Sequence, residues 1–415
     1  MPAMIRMLHF ADFHLGMENY GRVQPETGFS SRVHDFLKRL DEVFDYGRQN
    51  DVDLVVFAGD AFKNRTPNPT LQREFARRIR QMSDHCPVVL LLGNHDVATS
   101  SSRASSLDIY QTLAVPSVLL GDEYKLHNVE TKSGVAIVGT VPYPIKARLL
   151  TEDEDHALDS QAQTERFQTT VSQMLSELTD QARQAPERLP RVLVGHFTVS
   201  GARTGSEREV MLGSDVTVSL GDLDDPAWDY VALGHIHKHQ CLTSGARTPV
   251  VYSGSLERID FGEENEPKGF CWVELERGRT RWQFKPVNSR PFVTLRADLR
   301  TSANPMNDAL DAIRSANVQG AIVRMYVQLS AADEGRVETR RLYAALYERG
   351  ASTVATIKLE VERADRTRLN GAIESLTPLQ LLERYFQARG TDATRTAQLL
   401  TYAKAIFEEV DRERA

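Results

Sequence analysis

The chain has 415 residues, 41% of them hydrophobic, with 57 acidic and 50 basic side chains and a formal net charge of −7. That length allows a large core with one or two smaller units, and the acidic balance excludes a uniformly basic nucleic-acid binder, so any such contact must come from local Lys and Arg patches. No apolar run approaches the ~20 residues of a membrane span, and the start, "MPAMIRMLHFAD", lacks a secretory pattern, so a soluble cytoplasmic protein with no membrane association is expected.

In chain order, β-branched runs predict strands at Ile5–Phe10, Leu54–Ala58, Val88–Leu92, Val135–Val138, Val192–Val194, Tyr230–Leu233, Val250–Tyr252, Gly269–Leu275 and Thr280–Pro286. Helix-period stretches fall at Ser31–Gln49, Thr70–Met82 and Thr164–Ala185, the last stopped by Pro186. Alternation of strand and helix reads as layered α/β. The turn "PVNSRP" at Pro286–Pro291 marks a boundary. Beyond it a β-α-β-α-β unit is expected, with helices near Asn304–Ser315 and Val337–Arg349. Two amphipathic helices follow from Thr377, with apolar stripes at Leu379, Leu381, Leu382 and Phe386, then Leu399, Leu400, Ala403 and Phe407. Such a hairpin packs on its own domain or docks on a partner. Cys86, Cys241 and Cys271 are odd in number and widely spaced, which argues against a disulfide framework or a cysteine zinc site.

The ends of the predicted strands carry the chemistry. "FADFHLG", "FAGDAF", "LLGNHD", "VGHFTVSG" and "LGHIHKH" each close an apolar run with Asp, Asn or His. Singly these are ordinary turn residues. Together they bring Asp12, His14, Asp60, Asn94, His95, His196, His235 and His237 to the carboxyl ends of strands, where ligand sites of α/β sheets gather. Asp12 with His14, and His235 with His237, alternate and so share one side of an extended backbone. One carboxylate, such as Asp60, can bridge two ions. Imidazole, carboxylate and amide oxygen without thiolate suit Mn(II), Fe(II) or Zn(II), manganese being favoured, with Mg(II) also compatible.

Charge counting points to the substrate: two divalent ions, less Asp12, Asp60 and a bound hydroxide, leave one positive charge for a phosphate anion. A metal pair of that kind activates a water for phosphoester hydrolysis. His95, next to the hard ligand Asn94, is placed to lie outside the metal shell and protonate the leaving oxygen. His9 is expected to face the other layer and His239 to sit at the rim, while His34, His85, His127 and His156 are expected to be solvated.

The order D-x-H, G-D, G-N-H-D, G-H and G-H-x-H resembles the calcineurin-like metallophosphoesterase superfamily. Within it, "ADFHLG", "AGDAF", "LLGNHD" and "LGHIHKHQ" followed by "VYSGSLERIDFGEENEPKGF" resemble the SbcD family of double-strand-break repair nucleases. The resemblance implies an α/β fold: a four-layer α/β/β/α metallophosphoesterase sandwich over residues 1–288. It also implies a small α+β capping, DNA-facing domain over 289–375, and a C-terminal helical hairpin over 376–415 that grips a coiled-coil ATPase. It implies that Asp12, His14 and His237 hold one Mn ion, that Asn94, His196 and His235 hold the other, that Asp60 bridges and that His95 is catalytic.

By the same resemblance the protein would be a double-strand 3′-to-5′ exonuclease and single-strand endonuclease. It would act as a homodimer within a heterotetramer with an SbcC-type ATPase, ATP entering only through that partner, at the nucleoid. Some relatives carry a histidine three residues after the bridging aspartate, where this chain has Lys63; Lys63 and Arg65 could meet DNA phosphate instead, or be solvated. The same choice applies to the basic helix of Arg73, Arg77, Arg78 and Arg80, and to the loop "SGARTGSERE", Ser200–Glu209. A phosphoesterase for small diesters such as cyclic nucleotides, and a DNA-end scaffold with incidental activity, are the competing readings.

Overall fold

The computed structural model describes residues 4–98, 104–150, 159–205, 216–245, 248–362 and 377–414. It divides into two compact units, one of Met1–Thr294 with Asn317–Arg324 and Leu346–Thr356, the other of Leu295–Ala316, Met325–Ala345 and Ile357–Ala415.

The first unit is built on two six-stranded sheets. Apolar runs form β1 (Ile5–Phe10), β2 (Leu54–Phe57), β3 (Val88–Leu91) and β4 (Val118–Gly121), which pair in parallel. Two antiparallel strands extend the sheet on the other side of β1. The second sheet draws on β5 (Lys125–Thr131), β6 (Gly134–Val141), β7 (Arg191–His196), β10 (Tyr230–Gly234), β11 (Gln240–Cys241) and β12 (Val250–Tyr252), in the order β11-β12-β10-β7-β6-β5. The two-residue strands β8 (Thr198–Val199) and β9 (Thr217–Val218) pair with each other. The antiparallel strands of the first sheet are β13 (Gly269–Leu275) and β14 (Arg281–Pro286), giving the order β14-β13-β1-β2-β3-β4.

Period-two alternation splits the apolar side chains of each sheet between two faces. Ile5, Met7, Leu54, Val56, Val89 and Leu91 meet Ala136, Val138, Val192, Val194, Tyr230 and Ala232 in one buried cluster between the sheets. The outer face of the first sheet packs Leu8, Phe10, Val55 and Phe57 against α1 (Ser31–Gln49) and α2 (Pro69–Ser83), which contribute Phe36, Leu40, Phe44, Phe75 and Ile79. The short helices α3 (Asp108–Thr112) and α4 (Lys146–Leu149) come before α5 (Ser160–Gln184), which covers the second sheet with Phe167, Val171, Leu175 and Leu178. The result is the four-layer α/β/β/α sandwich. Helix starts are fixed locally: Ser30 Oγ accepts from the Arg32 amide, Asn68 Oδ1 from Thr70 and Leu71, and Asp159 Oδ1 from Ala162.

Strands β4 and β5 and the short pairs were not foreseen. In β5 the sequence KLHNVET mixes exposed and buried positions at a sheet edge, so it carries no clean apolar period. His127, expected to be solvated, is half-buried there with Nε2 3.1 Å from Thr140 Oγ1. His34 shares a hydrogen bond with Thr27, and His156 lies outside the described residues.

His9 faces the other layer as expected. It is fully buried, with Nδ1 3.1 Å from Tyr230 Oη and Nε2 3.2 Å from the Leu233 carbonyl, so one imidazole ties β1 to β10 across the core. Burial pushes its pKa down to about 3. The folded state therefore holds His9 neutral, and its contribution to stability is intact above pH 6.5 and is lost as pH falls toward 3. Acidification to pH 4 should cost about 3 kcal/mol through this residue alone. Urea unfolding of His9→Phe across pH 7 to 4 should show a correspondingly shallower loss, and parallel pH profiles would rule the assignment out.

Beyond Arg290, β15 (Phe292–Asp298), β16 (Ile322–Ser330) and β17 (Thr353–Glu362) form a three-stranded sheet, with α6 (Pro305–Ser315) and α7 (Thr339–Glu348) between them in sequence. The hairpin helices are α8 (Pro378–Ala388) and α9 (Ala393–Arg414), the first opened by a Thr377–Gln380 capping box. Residues 363–376, assigned from sequence to the end of the small domain and the start of the hairpin, lie outside the described residues.

Candidate dinuclear metal centre

Five parallel strands end at one place. β1 delivers Asp12 and His14, β2 Asp60, and β3 Asn94 and His95; from the facing sheet β7 delivers His196 and β10 delivers His235 and His237. All eight sequence candidates converge, and carboxylate or imidazole atoms of Asp12/His14/His237, His14/Asp60/His95 and Asp12/Asp60/His196 lie within 4.8 Å of one another.

The turns that place them are strained. Asp12, His14, Asp60 and His235 adopt positive φ of 52°, 46°, 63° and 94°, each costing roughly 1–3 kcal/mol in a non-glycine residue. Backbone hydrogen bonds enforce them: Asp12 N donates to Gly59 O, His14 N to Asp60 O and Leu15 N to Ala61 O, zipping the β1 and β2 turns together. Close approach requires glycine at position 93, where a Cβ would fall 2.2 Å from Asp60 Oδ1.

Each ligand candidate is oriented by its other atoms. Asp12 Oδ1 accepts from the His235 amide at 2.8 Å, and Asp60 Oδ1 from the His95 amide at 2.8 Å. His196 Nδ1 lies 2.7 Å from the Ala58 carbonyl and so donates to it, which turns Nε2 inward, 3.0 Å from Asn94 Oδ1. His237 Nδ1 meets Glu263 Oε1 at 2.8 Å, which turns its Nε2 to within 3.0 Å of His14 Nε2. His235 Nδ1 sits 3.0 Å from Asn94 Oδ1. Asp60 Oδ2 lies between the two groups, 3.6 Å from His14 Nε2 and 3.4 Å from His196 Nε2.

Electrostatics make this cluster costly as it stands. Burial raises the Asp12 carboxyl pKa and lowers that of His14 well below its ordinary value. Burial also works against ionised Asp60, yet His196, His14 and His95 together hold it well below the usual carboxylate range. Burial opposes charge on His196 as well, but Asp60 and Asp12 lift it to about 9. Asp12 Oδ2 is buried with no hydrogen-bond partner among the described residues. A buried carboxylate oxygen of this kind is satisfied by a cation. The oxygen and nitrogen donors fit divalent metal ions, and no cysteine approaches them among the described residues.

Two supporting residues escaped the sequence reading. Asp96, the last letter of "LLGNHD", accepts the Asp60, Ala61 and Gly93 amides and so holds the turn that presents Asp60. Glu263, fully buried, receives His237, the Lys268 ammonium at 3.0 Å and the Ile259 amide at 2.9 Å. Asp96 was visible inside a quoted motif; Glu263 is 26 positions from His237, with no local spacing to announce it.

Lys63 and Arg65 are exposed on the loop after Asp60, and the Lys63 carbonyl lies 2.6 Å from His95 Nδ1. The basic helix is partly neutralised: Arg73, Arg77 and Arg78 share the single carboxylate of Glu74, Arg78 also meets Asp41, and Arg80 meets Asp84. His239 stands at the rim, stacked on Phe284 at 4.0 Å. Positions 206–209 of the loop after His196 lie outside the described residues.

Carboxylate, amide and imidazole donors gathered at the ends of parallel strands in a double-sheet sandwich define a metal-dependent phosphoesterase. The family model for calcineurin-like phosphoesterases matches residues 5–239, and the chain belongs to that family. Among curated relatives, the SbcD component of the nuclease SbcCD from Bacillus subtilis (strain 168) is 28% identical over 331 residues, covering 79% of this chain and 80% of that one. Its namesake in Escherichia coli (strain K12) is 25% identical over 395 residues, 91% of each chain. A solved dimetal phosphatase from Danio rerio covers 68% of this chain and 96% of its own at 13% identity, with a TM-score of 0.42. Among the described residues no helix is long and apolar enough to cross a membrane.

Proposed function

We propose that this chain is a manganese-dependent DNA nuclease, with double-strand 3′-to-5′ exonuclease and single-strand endonuclease activities, serving an SbcC-type coiled-coil ATPase in DNA end processing. The observation that carries this reading is the extent of the likeness to the SbcD component of nuclease SbcCD, which covers 91% of the chain and so runs well past the residues 5–239 matched by the phosphoesterase model. A phosphoesterase for small diesters would not require that shared remainder. The hairpin α8–α9, with Tyr385, Tyr402 and Ile406 exposed, is the face assigned to the ATPase coiled coil. Residues 289–375 are assigned to DNA, and the complex to a homodimer within a heterotetramer acting at the nucleoid.

In this reading Asp12, His14 and His237 hold one manganese ion, Asn94, His196 and His235 the other, and Asp60 bridges them; the geometry supports the bridge, since Asp60 Oδ2 is nearly equidistant from His14 and His196. Bound ions would supply an acidified water and charge neutralisation at the phosphoryl oxygens. His95 does the remaining work. Its Nδ1–H donates to the Lys63 carbonyl, so the ring is fixed with its other nitrogen free to carry a proton, edge-on to His14 at 4.9 Å between centroids. That nitrogen delivers the proton to the departing oxygen. Lys63 and Arg65, exposed beside it, are the candidate contacts for DNA phosphate.

The test compares the native chain with His95→Asn on linear duplex DNA, single-stranded DNA and bis-p-nitrophenyl phosphate, with manganese. The variant keeps the backbone amide that orients Asp60, so metal and DNA binding should persist while kcat falls roughly 10²- to 10⁴-fold. Turnover of the small diester alone, even with the ATPase partner added, would overturn the nuclease reading.

A further inference from the structure

The stretch "VYSGSLERIDFGEENEPKGF", residues 251–270, supplies no ligand candidate, yet it grips His237 by both main chain and ring. The Ser255 amide donates to the His237 carbonyl at 3.0 Å and the Lys268 ammonium at 3.2 Å, while Glu263 Oε1 meets the ring at Nδ1. Gly254, at a φ of 75°, permits that approach, since a Cβ there would fall 2.7 Å from the His237 carbonyl oxygen.

Glu263 is held in turn by Arg258. Its Nε donates to the Glu263 carbonyl at 3.1 Å and its Nη2 to the Glu266 carbonyl at 2.8 Å, so one guanidinium spans the turn that carries the carboxylate. Nη1 reaches the other way, to Ser289 Oγ at 2.7 Å and the Arg290 carbonyl at 3.2 Å. The neighbouring Glu257 Oε1 accepts the Arg290 amide at 3.0 Å, so consecutive residues clasp both sides of Arg290. Burial works against the Arg258 charge, and Glu257, Glu263 and Glu266 offset part of that cost from nearby. Its hydrogen bonds, however, go to carbonyls and a hydroxyl, which makes the rigid fork a template for main chain.

We propose that Arg258 is a positioning residue of the metal centre: by fixing the turn Phe261–Glu263 against Ser289 and Arg290, it sets where Glu263 holds the His237 ring, and thereby the affinity for the ion on the His14–His237 side. It touches neither ion nor substrate. A lysine cannot take its place, because a single ammonium cannot reach the carbonyls of Glu263, Glu266 and Arg290 together. A mere staple for the Ser289–Arg290 segment would add stability without favouring one ion over the other. This inference rests on the dinuclear reading of the site.

The test uses the full chain with isotope-labelled histidine, observed metal-free by NMR and then titrated with manganese by calorimetry. In the native chain the His237 Nδ1–H, assigned by its loss in His237→Gln, should be protected from exchange by Glu263. Arg258→Lys should speed that exchange about 10-fold and weaken one of two manganese ions about 10-fold, leaving the other within about 3-fold of native. Leu175→Ala, a core change under α5, is the destabilised control that should move neither reading. Where Arg258→Lys does not fold, Ser289→Ala removes one anchor of the fork and should speed the exchange about 2- to 3-fold. Exchange or manganese affinity left at native values, equal weakening of both ions, or the same changes in Leu175→Ala would overturn the proposal. A native chain that binds fewer than two manganese ions sinks the dinuclear reading instead, and exchange in the metal-free chain still decides whether Arg258 positions His237.

Discussion

Asp60→Asn is expected to abolish metal-dependent hydrolysis. Asp60 Oδ2 lies 3.6 Å from His14 Nε2 and 3.4 Å from His196 Nε2, close to both halves of the donor set, and Oδ1 is already committed to the His95 amide. An amide in its place removes a negative charge from between His14 and His196 and turns an NH2 group or a weaker oxygen toward the ions. Loss of a residue that merely orients a ligand costs about 10- to 100-fold in metal affinity, so loss of the carboxylate proposed as the bridge should exceed about 100-fold. Manganese titration followed by calorimetry, alongside bis-p-nitrophenyl phosphate turnover, checks this. Two ions bound with near-native affinity would remove Asp60 from the bridging role.

Glu263→Ala should be the most destabilising single change near the site. The carboxylate is fully buried, held far below its ordinary pKa against the cost of burial, with Lys268 the largest stabilising influence. Its removal leaves the buried Lys268 ammonium with Glu266 Oε2 at 3.1 Å and the His237 carbonyl at 3.2 Å, and takes from His237 Nδ1 the carboxylate that orients the ring. Breaking a buried pair in this way costs about 3–5 kcal/mol; with Glu266 as partial compensation about 3 kcal/mol is expected, lowering Tm by about 3–5 °C in a chain of this size. The double change Glu263→Gln with Lys268→Met separates the two roles. It should recover most of the stability, because no charge is stranded, but not the manganese affinity, because a glutamine cannot hold the His237 tautomer as a carboxylate does. Recovery of both would reduce Glu263 to a packing residue.

The ligand candidates were legible because the chain announces each of them in the same way. A short apolar run predicts a buried strand, and the first polar residues after it must stand at its carboxyl end; repeated five times, this gives Asp12, Asp60, Asn94, His196 and His235 with no knowledge of how the strands are ordered. The two-sheet arrangement was not derivable from periodicity alone. Runs buried on both faces look alike whichever sheet they join, so the four-layer sandwich was expected from resemblance alone, and only the structure places Arg191–His196 and Leu54–Phe57 in different sheets. Edge strands such as β5 were missed because half their residues face water. Glu263 was invisible for a different reason: a buried carboxylate in a polar stretch reads as a solvated one until the ammonium of Lys268 is seen beside it.

The donors are divided between the layers, with Asp12, His14, Asp60 and Asn94 supplied by one sheet and His196, His235 and His237 by the other. The site therefore works as a gauge of how the two sheets are seated. Metal–ligand bonds tolerate errors of only about 0.2 Å, so a slip that the interlayer core of Met7, Val56, Val138 and Val194 would absorb at little thermodynamic cost is enough to detune the centre. In this architecture the apolar residues between the sheets set catalytic competence from a distance, and function is the more sensitive reporter of their packing than stability is.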